Sequence, residues 1–292
     1  MISLLQQTWI SFNENNSLRT ASALAYTAAF SIAPMLVLMV GIAKIFVEPE
    51  DVQGSVEAGI RSVAGDEGVE QVRVMVDNRS ESQKSSSKWA SAIGTLVLLF
   101  GATNFFAQLQ TALNEIWSVR ADPSRSGIWH LITKRILSLG MIITLGVILV
   151  ITIIASSLLV AFGERLGFWM PVVSRLLFTT ASWLLAFGVL TFLFAAVFRY
   201  LPDAEIRWRD VAIGSGVTAG MFLLGHVAIS FYLGMQDAMS LYGAAGSMIV
   251  ILTWVYYSSV ILLFGATLTR VGSNRSGRNI IPSEFATKDT SE

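Results

Sequence analysis

Six stretches of this chain each run past twenty residues without one Asp, Glu, Lys or Arg. They are Thr20–Ala43, Trp89–Asn114, Ile136–Phe162, Leu176–Phe198, Val211–Met235 and Gly243–Thr269. The hydrocarbon core of a bilayer, about 30 Å thick, is crossed by about 20 such residues in a helix. Each stretch is too long for a buried strand, and in lipid only a helix or a closed barrel satisfies every backbone polar group. A water-soluble fold is ruled out by the charge supply. Only 14% of residues are charged and 53% are apolar, against about 25% charged in ordinary soluble domains. The expected fold class is therefore all-α: a polytopic membrane helical bundle with six transmembrane helices.

The same counts exclude several functions. Twenty basic residues balance twenty acidic ones, so no bulk charge draws the chain to nucleic acid. Cysteine is absent, which removes disulfides, thiol catalysis and thiolate metal sites. Two histidines, His130 and His226, are too few for a multi-histidine metal centre. No metal and no cofactor is expected. The N-terminal residues lack the basic and continuous apolar regions of a cleavable signal peptide, so the first span is expected to act as the insertion signal.

Lys and Arg in the flanks set the orientation. One side collects twelve: Arg19; Arg120, Arg125, Lys134 and Arg135; Arg199, Arg207 and Arg209; and Arg270, Arg275, Arg278 and Lys288. The other side has Arg165, Arg175 and five more in the connection Val47–Lys88, which also carries nine acidic residues. Long connections weigh little in this rule. The basic side is read as cytoplasmic, with both termini inside.

Three segments lie outside the spans. In residues 1–19, Ile2, Leu5, Trp9 and Phe12 share a helical face and suggest an amphipathic helix in the inner interface. Within the external insertion 48–88, Val52, Val56, Ile60 and Val63 recur at helical spacing. Gly65–Gly68 interrupts the pattern, and Val69, Val72 and Val76 resume it. Two short external amphipathic helices are expected there, capping the bundle, lying on the outer leaflet or forming a solvated hairpin. The membrane domain spans 20–271, and residues 272–292, polar and rich in Gly and Ser, are expected to be a disordered cytoplasmic tail.

Small and polar residues within the spans supply the candidate site. Ala21, Ala25, Ala29 and Ala33 repeat every four residues, and Gly216 and Gly220 make a GxxxG step. Such faces let helices approach closely in lipid, within the bundle or between protomers of a homo-oligomer. Pro34 removes a backbone hydrogen bond and kinks the first span, with Ser31 near enough to re-satisfy a freed group. The second span ends in Asn104, Gln108, Gln110 and Asn114. Amides in hydrocarbon are costly unless paired, so these four either bond to neighbouring helices or line a polar cavity open to the cytoplasm; their clustering favours the cavity. His226 near mid-span is either a proton-coupling group or a neutral partner in an interhelical hydrogen bond. In the short loop after the fourth span, Arg199 and Asp203 form either a gating pair or a plain inner-face anchor. Arg207 and Arg209 there are placed to meet lipid phosphates around Trp208.

Four stretches carry a family resemblance. They are Ala23-Leu-Ala-Tyr26 with Phe30-Ser-Ile-Ala-Pro34; Phe106-Ala-Gln-Leu-Gln110 with Leu113-Asn-Glu-Ile-Trp117; Tyr200-Leu-Pro-Asp203 with Trp208-Arg-Asp210; and Tyr242-Gly-Ala-Ala-Gly-Ser247 with Trp254-Val-Tyr-Tyr257 and Gly265-Ala266. In these, over nearly its whole length, the chain resembles the YihY/BrkB family of bacterial inner-membrane proteins. The resemblance implies six spans. It also implies an acidic residue after the last Gly-Ala, where this chain has Thr267. Family labels include a tRNA-processing ribonuclease, a serum-resistance virulence factor and a link to lipid or lipopolysaccharide transport.

Metal-assisted phosphodiester cleavage needs clustered carboxylates or histidines, and the sequence offers no such cluster, no Walker A loop, no nucleophile elbow and no HExxH. The expectation is a non-enzymatic transporter or flippase-like protein for a lipid or other amphiphile, with membrane lipids as its partners. Its path would run through Tyr26, Ser31, Pro34, Asn104, Gln108, Gln110, Asn114, His226, Tyr242, Gly243 and Gly246. An ion-coupled solute transporter and a non-transporting envelope scaffold are the alternatives.

Overall fold

The computed structural model describes residues 2–43, 88–121, 171–234, 244–277, 281–283 and 286–288, with single helical positions between 54 and 69 and between 136 and 155. In chain order these form α1 (Ile2–Glu14), α2 (Ser17–Ala43), α3 (Lys88–Ile116), β1 (Val119–Ala121), α4 (Pro171–Tyr200), β2 (Ala204–Glu205), α5 (Trp208–Gly234), α6 (Ala244–Arg275), β3 (Ile281–Pro282) and β4 (Ala286–Lys288).

Among the described residues three helices are long and apolar enough to cross a bilayer: Leu177–Tyr200 in α4, Trp208–Phe231 in α5 and Ile249–Arg275 in α6. The first two expected spans are occupied by α2 and α3, helices of 27 and 29 residues. The third expected span and the external pair fall mostly outside the described residues. Their described positions, such as Gly140, Ile151, Gly54 and Glu57, are helical.

The long helix α6 is the axis of the packing. It contacts α5 on one side, α2 on another, α1 along its end and α3 more lightly, while α4 packs on α5 and α3 on α2. Side chains from all these helices meet in one apolar cluster that includes Phe12, Leu24, Leu109, Leu113, Phe198, Val211 and Leu263. The cluster lies toward the end where the basic flanks gather, called here the basic end. Further out, Leu184, Leu224 and Phe231 lie on the surface, as expected of side chains that have hydrocarbon as their solvent.

Where α5 and α6 approach most closely, Gly216 and Gly220 are not the seam within the bundle. Gly216 has nothing near its missing Cβ, and Gly220 only grazes the Phe187 ring. The close approach is made by Gly214 and Gly265. A Cβ on Gly214 would strike Oγ1 of Thr269 and stand 2.6 Å from the Gly265 carbonyl oxygen, and one on Gly265 would strike Oγ1 of Thr218. Both threonine hydroxyls donate back to their own helix, Thr218 to Gly214 and Thr269 to Gly265, at 2.8 Å. The small-residue face is thus rotated from the one the GxxxG spacing suggested. On α2 the alanine stripe drifts similarly: Ala21, Ala25 and Ala28 are buried, because a 3.6-residue turn does not keep strict fourfold spacing on one line. Thr267, in the family's acidic position, is fully buried and its hydroxyl donates to the Leu263 carbonyl.

α1 buries Thr8 and Phe12 against the bundle and leaves Leu5, Trp9 and Ile10 on the surface. Its Ser3 hydroxyl accepts from Arg275 and its Phe12 ring meets Phe264 edge-on. Those partners lie eleven residues apart on α6, about 16 Å at 1.5 Å per residue. α1 therefore runs antiparallel beside the last turns of α6.

The tail also departs from expectation. α6 continues to Arg275, and the segment beyond returns over the basic end: β4 pairs with β1, and β3 with β2, both antiparallel. The tail is poor in apolar residues and has no local reason to order. Ile281–Pro282 and Ala286–Lys288 take strand form because they find backbone partners in two loops distant in sequence.

Candidate functional site

The end of α3 carries Gln110, Asn114 and Trp117 at spacings of four and three, so all three fall on one helical face. That face looks onto the connection between α4 and α5. Pro202 lacks an N–H and helps stop α4, whose last bond runs from the Leu201 N–H to the Val197 carbonyl. The chain then extends, with Ala204 and Ile206 buried and Glu205 and Arg207 exposed, the alternation of a strand with one covered face.

Asp203 joins three parts of the molecule. Gln110 Nε2 donates to its Oδ1 at 3.0 Å and Asn114 Nδ2 to its Oδ2 at 2.7 Å. The Asp203 N–H donates to Asn114 Oδ1 at 2.8 Å, so the Asn114 amide grips side chain and backbone together. The Asp203 carbonyl accepts from the N–H of Ser283 in the returning tail at 3.0 Å. Charge-assisted bonds to a carboxylate are stronger than neutral ones, and Gln110 and Asn114 are buried. Helix, loop and tail are thereby fastened at one residue.

This arrangement revises two sequence expectations. Gln110 and Asn114 do not line an open polar cavity: Gln110 Nε2 and both ends of the Asn114 amide are committed to Asp203, and Gln110 Oε1 is buried without a hydrogen bond. Arg199 does not pair with Asp203 as a gate. Its Nη1 donates to the Ile206 carbonyl at 2.5 Å, and its guanidinium lies 5.6 Å from the Tyr200 ring centre and 5.2 Å from that of Trp208. Trp208 in turn stacks on Phe192. The aromatic surroundings hold the cation in place.

Beside this node opens a cavity of about 650 Å³, lined by Arg199, Tyr200, Glu205, Arg207, Asp210, Ser273, Gly277 and Ile281 among others. α4, the loop, the first turn of α5, the end of α6 and β3 all contribute walls. Gly277, at φ +68°, makes the left-handed turn that sends the tail back, a conformation glycine adopts without a Cβ penalty.

A second, apolar groove of about 510 Å³ lies between α5 and α6, lined by Leu224, Gly225, Ala228, Ile229, Ile249, Val250, Thr253, Trp254 and Tyr257. Gly225 is required here because a Cβ would strike the Tyr257 ring. Tyr257 crosses over it to donate to the Met221 carbonyl at 2.7 Å. Aromatic rings link groove and node: Phe198 to Phe194, Phe194 to Phe222, Phe222 to Trp254 and Trp254 to Tyr257, each pair within 6.4 Å between centres.

The other predicted residues are scattered. Tyr26 is 68% exposed and packs on Phe30 at the surface, not in an interior path. Ser31 is buried, Asn104 is exposed and Gln108 is half-buried. His226 is half-buried with its ring 6.5 Å from Trp254. Pro34 lies within α2 and Gly246 within α6; Tyr242 and Gly243 lie outside the described residues. Arg207 lines the cavity, whereas Arg209 is exposed outside it. Trp117, Gly225, Tyr257 and Ser283 were missed. Of these, Trp117 and Tyr257 stand in the stretches that carry the family resemblance, and Trp117 also falls on the Gln110–Asn114 face. Among the described residues no three His, Asp or Glu side chains gather where they could hold a metal ion.

A family described as Virulence factor BrkB matches residues 8–287. Similar curated proteins include a UPF0761 membrane protein of Aggregatibacter aphrophilus, 26% identical over 90% of this chain and 89% of that protein. One from Pseudoalteromonas atlantica is 27% identical over 86% and 80%. One from Methylibium petroleiphilum is 26% identical over 88% of this chain but only 59% of its own, longer sequence. No solved structure matches the chain.

Proposed function

The chain belongs to the Virulence factor BrkB family, and from that premise we propose that it is a bacterial inner-membrane protein that moves a lipid or similar amphiphile across the bilayer in the manner of a flippase. On this reading it has six spans, keeps both termini in the cytoplasm, and performs no covalent chemistry. The observation that carries the reading is the apolar groove between α5 and α6. Gly225 lies seventeen residues beyond Trp208, about 25 Å along the helix axis, so on this reading the groove belongs to the half of the membrane away from the basic end. Among the described residues it is lined by aliphatic, small and aromatic side chains with no charged group, which suits an acyl or isoprenoid chain and offers nothing to a free ion. The polar cavity at the basic end supplies, at the opposite surface, a place for a headgroup.

Purified protein reconstituted into vesicles with fluorescently labelled lipid tests the reading. Transbilayer movement should speed up over protein-free vesicles, and Ala228→Trp, which fills the groove from an exposed position without touching the Gly214–Gly265 contact, should slow it. Wild-type protein that leaves the basal rate unchanged would refute the proposal.

A further inference from the structure

The cavity at the basic end has a chemical character that basic flanks alone do not give. Among the described residues its lining pairs two guanidinium groups, Arg199 and Arg207, with two carboxylates, Glu205 and Asp210. A site built only to hold membrane phosphates would carry one sign of charge. Glu205 and Arg207 are two residues apart in extended chain, so their side chains leave the same face with Cα atoms about 6.6 Å apart. The intervening Ile206 turns inward and is buried. An anionic and a cationic contact are thus offered side by side at a spacing set by the backbone.

Arg199 completes the arrangement. One of its donors is committed to the Ile206 carbonyl and two rings fix its plane, yet its Nε is buried and makes no hydrogen bond. A guanidinium has five N–H donors, so this immobilised cation faces the cavity with donors unspent. Nε is sealed from solvent and stays out of a ligand's reach, so an oxyanion in the cavity would meet the guanidinium's remaining N–H groups. Binding to groups already held in place also loses less entropy.

From these observations we infer that the cavity is a binding site for a zwitterionic phosphoammonium headgroup of the phosphoethanolamine type. The phosphate lies on Arg199 and Arg207, and the primary ammonium on Glu205. The returning tail supplies part of the wall through Gly277 and Ile281. The inference deepens the amphiphile reading by naming the headgroup, but the site stands whether or not the protein transports anything.

The test is lipid binding to the full-length protein in detergent, measured by native mass spectrometry. Probes are short-chain phosphatidylethanolamine, phosphatidylglycerol (a phosphate without an ammonium), phosphatidylcholine (an ammonium with no N–H) and inorganic phosphate. Wild type should bind phosphatidylethanolamine most tightly. Glu205→Gln should erase its preference over phosphatidylglycerol, and Arg207→Gln should weaken both lipids by about tenfold, the factor that about 1.4 kcal/mol gives. Both side chains are exposed and make no hydrogen bond or ion pair among the described residues, so both variants should fold. Inorganic phosphate binding as tightly as the lipids would mean a free-phosphate site and overturn the inference, as would a headgroup preference that survives Glu205→Gln or no binding by wild type. Because detergent binding measures no flux, a failed vesicle assay with intact headgroup selectivity would refute the transport reading alone.

Discussion

Asp203→Ala removes the acceptor of two buried amide donors, Gln110 Nε2 and Asn114 Nδ2, while leaving both donors inside the protein. A buried donor left without a partner costs about 1–3 kcal/mol, so the pair sets a range of about 2–6 kcal/mol. Asp203 is itself only partly buried, and water reaching the vacated space would satisfy part of the loss, so the lower half of that range is expected. Asp203→Asn keeps one carbonyl acceptor but turns an NH₂ toward the other donor, and should cost about half as much. The informative comparison is the triple variant Asp203→Ala, Gln110→Leu, Asn114→Leu. It removes the stranded side-chain donors as well as the acceptor but leaves the residue 203 N–H without Asn114 Oδ1, so it should recover part of the loss, because deleting both sides of a buried bond costs less than deleting one. Membrane proteins commonly unfold irreversibly, so the assay is the half-life of the monodisperse protein in detergent at a fixed elevated temperature. An Asp203→Ala protein as long-lived as wild type, or a triple variant no better than the single, would show that this node does not hold the basic end together.

Further outcomes follow from the same contacts. Gly265→Val should abolish or severely reduce folded protein, since its side chain would meet Thr218 and the α5 backbone and overpacking costs about 1–3 kcal/mol or more; Gly216→Leu, facing open space, should be tolerated, and fluorescence-detected size exclusion separates the two. Truncation after Gly277 removes β3, β4 and the Ser283 bond to Asp203; it should shorten the detergent half-life and expose the Arg207 and Arg209 peptide bonds to trypsin, whereas an unchanged digestion pattern would mean that the tail does not cover this loop.

The corrections to the sequence reading share a cause. Four amides near the end of α3 were visible as a cluster, but their fate depended on a partner far along the chain: Asp203 is 93 residues from Gln110 and 89 from Asn114. Helical spacing places Gln110 and Asn114 on one face and cannot say what that face meets. The α5 glycines repeat the lesson. Gly214–Thr218 and Gly216–Gly220 are both small residues four apart, and only the rotation of α5 against α6 decides which pair becomes the seam.

By itself the sequence determined that the chain is built of membrane helices, because crossing a bilayer depends on a local sum: enough contiguous apolar residues to match the hydrocarbon thickness. It also marked the basic end, since Lys and Arg flanks are read off one connection at a time, and the described flanks at Arg120, Arg199, Arg207, Arg275 and Lys288 do converge there in space. Tertiary structure alone decided the pairing of Asp203, the seating of Arg199 between rings, the Gly214–Gly265 seam and the return of the tail. In lipid no hydrophobic drive pushes one apolar face rather than another against its neighbour. The choice among helix rotations therefore rests on close packing and a few polar bonds between residues far apart in sequence.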